Sequence, residues 1–76
     1  MDAIEQQADY HGLTVRQLQV AMGIAEGKTL REIAKNLGIG YETTRDHRKR
    51  LGARLGLNNK VEIAVWVKEN LSSEGS

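Results

Sequence analysis

The sequence predicts an all-α fold of four helices, and three observations carry that expectation. Proline and phenylalanine are absent, while the helix-favouring residues Ala, Leu, Ile, Lys, Arg and Glu are plentiful. Apolar residues recur at helical rather than alternating spacing. Capping residues and glycines stand where helices should begin and end.

The first helix is expected over about residues 15–26. Thr14 followed by Gln17 has the pattern of a capping box, in which the hydroxyl accepts from an orphan amide and the amide side chain reaches back. Leu18, Val20, Ala21, Ile24 and Ala25 follow, and Gly27 supplies a left-handed stop. The second helix is expected over 30–37, opened by a second capping box, Thr29 with Glu32. Its Leu30, Ile33, Ala34 and Leu37 repeat at i, i+3, i+4 and i+7, which marks one buried stripe. Gly38 ends it after about two turns, too short to stand without packing.

Gly38-Ile39-Gly40 is a tight connection into a third helix over 41–55. Thr44, His47 or Arg48, Leu51 and Leu55 form its inward line, and Gly56 stops it. Asn59 with Glu62 resembles a further cap, opening a fourth helix over 60–71. Residues 1–12 read as an acidic N-terminal arm, 13–71 as the folded domain and 72–76 as a flexible polar tail.

With 76 residues the chain holds one domain. A domain of this size buries only about 60% of the surface exposed when unfolded, so dimerisation would add welcome apolar burial. There is no cysteine and there are two histidines, which argues against a disulfide framework and a structural metal, and no cofactor is expected. No stretch approaches the roughly 18 apolar residues of a membrane span, and no secretory leader is evident. A cytoplasmic protein is expected.

The net charge of +1 says little, but its distribution says more. Between residues 45 and 54 lie Arg45, Arg48, Lys49, Arg50 and Arg54 against Asp46 alone, whereas residues 1–9 carry Asp2, Glu5 and Asp9 without a basic partner. A positive stripe of this kind on a helix is the electrostatic footprint of a nucleic-acid reader. A short helix, a glycine turn and a longer basic helix also make a helix-turn-helix, whose second helix enters the major groove of duplex DNA.

Helical spacing sorts the third helix. If Thr44, Leu51 and Leu55 face inward, then Glu42, Arg45, Asp46, Lys49 and Ala53 face outward. Arg45 and Lys49 suit guanine acceptors, and Asp46 suits a cytosine amino group, so these are the candidate base contacts. Thr43, His47, Arg48, Arg50 and Arg54 are the candidate phosphate contacts. Each has a plainer reading: a basic run is often only a solvated face, His47 a packed core histidine, and Asp46 an i, i+4 partner for Arg50.

In the fourth helix Ile63, Ala64, Val67 and Leu71 can close the core. Val61 and Val65 fall on another side, with Trp66 and Lys68 beside them, and a two-fold pair would bury that strip. A homodimer through Val61, Val65, Trp66 and Lys68 is therefore expected, although two surface valines are also ordinary.

Taken in order, Leu13-Thr14-Val15-Arg16, Ile24-Ala25-Glu26-Gly27, Glu32-Ile33-Ala34, Leu37-Gly38-Ile39, Thr43-Thr44-Arg45-Asp46-His47 and Arg54-Leu55-Gly56 resemble the LuxR-type (GerE-like) helix-turn-helix domain. Lys60-Val61-Glu62-Ile63-Ala64-Val65-Trp66-Val67 is similar to the NarL/FixJ branch of response regulators. The resemblance covers about residues 13–71. It implies four helices, the third reading the major groove and the fourth pairing two copies. Arg45, Asp46 and Lys49 match base-reading places in that branch, and Thr43, His47 and Arg48 match places near the backbone. Departures are Val15 where the family commonly has Pro, Gln17 and Gln19 for Glu, Gly40 for a frequent Ser cap, and Thr44 for an apolar core residue. Met1 and the acidic arm favour a free-standing bacterial or phage regulator over an excised C-terminal fragment.

The expected function is sequence-specific binding of double-stranded DNA by a dimeric transcriptional regulator. The rival is a protein-binding antagonist of another LuxR-type regulator, which would have little reason to keep the basic cluster. A promoter-reading domain like that of a sigma factor ranks lower, because the last helix looks built for pairing. No nucleophile and base are grouped, so an enzyme is not expected. RNA is disfavoured, since only Tyr10, Tyr41 and Trp66 offer stacking surfaces.

Overall fold

A computed structural model describes residues 11–71, and the segments expected as the acidic arm (except His11 and Gly12) and the tail lie outside them. Among the described residues four helices follow in order: α1 (Val15–Ala25), α2 (Leu30–Leu37), α3 (Tyr41–Leu55) and α4 (Lys60–Asn70). The first and last are each one residue shorter than expected. Glu26 and Leu71 serve as C-caps instead, at the ends where helices fray.

Both capping boxes are formed. Thr14 Oγ1 accepts from Gln17 N–H at 3.1 Å, and Gln17 Oε1 accepts from Thr14 N–H at 3.0 Å. Thr29 and Glu32 make the same reciprocal pair at 3.1 and 2.8 Å. At α4 the arrangement shifts by one residue. Asn59 Oδ1 accepts from Glu62 N–H at 2.9 Å, while the Glu62 carboxylate takes the Asn58 N–H at 2.7 Å. Gly38 and Gly56 close α2 and α3 with φ of +70° and +73°, a conformation that costs most side chains dearly.

Helix α1 is the hub: it packs on α2, α3 and α4, and α2 also packs on α3. The shared core is Leu13, Val20, Ala21, Ile24, Ile33, Leu51, Ile63 and Val67. The α1–α2 contact is close because position 23 lacks a side chain. A Cβ on Gly23 would lie 2.7 and 2.9 Å from Cγ1 and Cδ1 of Ile33, itself buried. Gly23→Ala should therefore overpack this contact at a cost of about 1–3 kcal/mol. The better helix propensity of Ala returns up to about 1 kcal/mol. A net loss of roughly 1 kcal/mol, read as a lower urea midpoint, is the expected result.

Thr44, polar where the resemblance leads one to expect an apolar residue, is fully buried in α3. Its Oγ1 donates to Gly40 O at 2.9 Å, so no hydroxyl is left without a partner. Among the described residues, no helix is long and apolar enough to cross a membrane.

Candidate nucleic-acid interface

Helix α3 is fastened on one side and open on the other. Thr44, Leu51 and Gly52 are buried, and Leu55 packs against the core. Gly52 is closely packed: a Cβ there would sit 3.0 Å from Leu57 O, which would have to give by a few tenths of an ångström. The opposite side carries Glu42, Arg45, Asp46, Lys49 and Ala53, all exposed, as the helical spacing anticipates. A rigid helix is thus presented with a polar row projecting from the domain.

Charges in and beside this row are paired. Arg45 Nη1 lies 3.6 Å from Glu42 Oε1, and Arg50 Nε lies 3.0 Å from Asp46 Oδ2. The plainer reading of Asp46 thus holds in this state. Both pairs are exposed, and such pairs contribute only about 0.3–0.5 kcal/mol each, so a partner with better acceptors can break them.

The candidate phosphate contacts fall in three places. Thr43 is exposed in the first turn of α3, where the N-cap Gly40 offers no side-chain cap. The amides there remain available to an anion. His47 and Arg48 are half-buried on the flank of α3. The ambiguous inward position, His47 or Arg48, is shared between them, while Gly52 takes the buried place one turn on. Arg50 and Arg54 turn toward the start of α1, where with Gly12, Thr14, Gln17 and Ala53 they line a cleft of about 580 Å³. The stem of Arg54 lies over Gly12, where a Cβ would stand 3.0 Å from Arg54 Cδ.

Sequence reasoning does not single out Arg31. Its guanidinium sits over the Tyr41 ring, 4.7 Å from the centroid, and joins α2 to the start of α3. That contact spans two helices, so no spacing rule within one helix points to it.

The candidate dimer strip lies away from α3. Val61 is 66% exposed and Val65 48%. Val65 and exposed Lys68 line a groove of about 430 Å³ between α4 and α1, and across it lies Met22, 46% exposed. Met22 is the apolar residue of this face that the sequence reading omits, and its departure from the buried stripe of α1 was the available signal. Trp66 points elsewhere. It is half-buried against the core and meets His11 edge to face, with ring centroids 5.2 Å apart.

Comparison with known proteins agrees with this architecture. The family described as "Bacterial regulatory proteins, luxR family" matches residues 11–67. The transcriptional regulatory protein UhpA of Escherichia coli (strain K12) is 44% identical over 52 residues, covering 68% of this chain and 26% of that protein. LiaR of Bacillus subtilis (strain 168), another transcriptional regulatory protein, is 33% identical over 61 residues, covering 80% of this chain and 29% of its own. The nitrate/nitrite response regulator protein NarL of Escherichia coli (strain K12) is 34% identical over 61 residues, with 80% and 28% covered. The chain thus spans between a quarter and a third of the length of these relatives. A family match over most of the described fold, on the same helices and turns that the residues dictate, means that the chain belongs to the luxR family of bacterial regulatory proteins.

Proposed function

We propose that the chain binds duplex DNA sequence-specifically as a homodimer, with α3 in the major groove, and thereby regulates transcription. The observation that carries this reading is the exposed row Glu42, Arg45, Asp46 and Lys49 on a helix whose other side is locked into the core. Arg45 and Lys49 donate to guanine O6 and N7, and Asp46 accepts from a cytosine amino group once Arg50 moves to a phosphate. Thr43, His47, Arg48, Arg50 and Arg54 hold the backbone and set the register.

The domain measures 32 × 26 × 24 Å, about one turn of DNA along its longest axis. One copy presents one reading helix, so reading two half-sites about 34–36 Å apart takes two copies. Val61 and Val65, with Lys68 at the rim and Trp66 bracing α4 from behind, form the surface that pairs them. Family membership and the names of the relatives support regulation of transcription as the outcome.

The test is affinity selection from a random duplex library at physiological salt, followed by sequencing. Enrichment of a pseudo-palindrome with half-sites one turn apart is the expected result. Arg45→Ala and Lys49→Ala should each cost about 1–3 kcal/mol on the selected site and relax base preference at one position. Unchanged preference in both variants would remove α3 from the groove. No enrichment at all would favour the antagonist that captures another regulator.

A further inference from the structure

The reading row on α3 has four members, and the base-reading proposal uses three of them. Glu42 is the fourth. It stands exposed in the first turn of α3, and its Oε1 lies 3.6 Å from Arg45 Nη1. Helix physics accounts for an acid at this position. The N-cap Gly40 gives no side-chain cap, and the macrodipole favours negative charge at a helix start. The demands of a surface that meets DNA run the other way, because a carboxylate there opposes the phosphates.

In water the pair with Arg45 is weak. Docking on a polyanion alters that. A carboxylate carried into a desolvated interface is costly unless a cation stays beside it, and Arg45 is the cation the structure places there. Arg45 can serve two partners at once. A guanidinium has five N–H donors in a planar fork, so one edge can keep the carboxylate while another takes O6 and N7 of guanine. A lysine ammonium has no such fixed division of donors. The carboxylate also repels a phosphate oxygen, so it opposes a swing of Arg45 from base to backbone. Asp46 stands differently. Its partner Arg50 lies toward the cleft at the start of α1, off the row, so that pair can part when a phosphate arrives.

We propose that Glu42 is a positioning residue that determines specificity: it fixes the Arg45 guanidinium on a guanine while weakening the general attraction to DNA. The inference rests on the DNA-binding reading above and deepens it at the same site. Two effects of opposite sign follow. Glu42 raises the preference for guanine at the base pair that Arg45 reads, because a side chain oriented in advance loses less freedom on binding. It also lowers affinity for every sequence, since it sets one negative charge on the surface that faces the phosphates. A carboxylate that only stabilised the helix start would give the second effect without the first.

The experiment compares the unaltered chain with Glu42→Gln and Glu42→Asp across a salt series. The probes are the duplex selected above, its single-base-pair variants and a duplex without the site. Glu42→Gln is expected to bind the site-free duplex more tightly, with the slope of log K against log salt steeper by up to about 0.9. Its guanine preference should fall about two- to tenfold, and only at the base pair that Arg45→Ala also relaxes. Glu42→Asp keeps the charge but is one methylene shorter, so its slope should match the unaltered chain while the guanine preference falls. In an Arg45→Ala background, Glu42→Gln should leave base preference unchanged, which is the mark of coupling between the two. Circular dichroism checks that each variant is folded, as expected for an exposed position. Altered preference at a different base pair would mean that Glu42 reads a base itself, and would overturn the positioning role. Unchanged base preference in Glu42→Gln would overturn it too, leaving a solvated acid at a helix start. Absence of sequence preference in the unaltered chain would overturn the DNA reading and this inference with it.

Discussion

On the proposed pairing of two copies through α4, Val65→Asp is expected to leave a folded monomer that binds a two-half-site duplex about 100- to 10,000-fold more weakly, because the avidity of two linked reading helices is lost. Val65 is nearly half exposed on α4, with Val61 one turn earlier and Met22 across a shallow groove. In a two-fold contact each substitution occurs twice, so two carboxylates face one desolvated strip. Burying such charges without partners costs several kcal/mol, more than a small interface supplies. The core should be indifferent, since Ile63 and Val67 bury the opposite side of the helix. Sedimentation equilibrium gives the mass, and titration of full and single half-sites gives the affinities. An unchanged dimer mass would reject this face as the interface. Monomer formation with undiminished affinity for the full site would show that the two half-sites are read independently.

Leu51→Ala should have the largest effect on the fold. Leu51 is fully buried where α3 meets the core, and its truncation should cost about 2–5 kcal/mol. A chain of 76 residues at about 0.05–0.15 kcal/mol per residue has only about 4–11 kcal/mol in total. The midpoint of thermal unfolding should drop by on the order of 10–40 °C, followed by circular dichroism. The neighbouring substitution Thr44→Val is the informative contrast. It removes the Oγ1–H donated to Gly40 O, but that carbonyl still receives Thr44 N–H at 3.0 Å. Its cost should stay near 0.5–1.5 kcal/mol. A comparable loss in both variants would mean that α3 is held chiefly by its first turn rather than by Leu51.

What the residues disclose unaided is what depends on near neighbours. Thr14 with Gln17 and Thr29 with Glu32 close their capping boxes within four residues, so their spacing is already the structure. The outward row of α3 is equally legible, because a single helical period sorts Arg45 and Lys49 from Thr44 and Leu51. The unread features are contacts between helices. Arg31 meets Tyr41 across a turn, Met22 meets the groove beside Val65, and Lys28 and Lys60 share a cleft although far apart in sequence. Periodicity has no term for such meetings. Gly23 and Gly52 show the same limit from the other side. Each reads as a helix-weakening residue, and each is closely met by an atom beyond its own helix: Ile33 for the first, Leu57 O for the second.

Trp66 is the chain's single tryptophan, and its edge contact with His11 gives the molecule an intrinsic optical reporter. Excitation at the red edge of the indole band bypasses both tyrosines, so the emission originates from one known place on α4. Anything that lifts residue 11 away from that helix, whether a pull on the upstream chain or a shift of α4 itself, changes the ring's surroundings and hence its colour and yield. Movement of α4 relative to residue 11 can thus be followed in unlabelled protein, in real time.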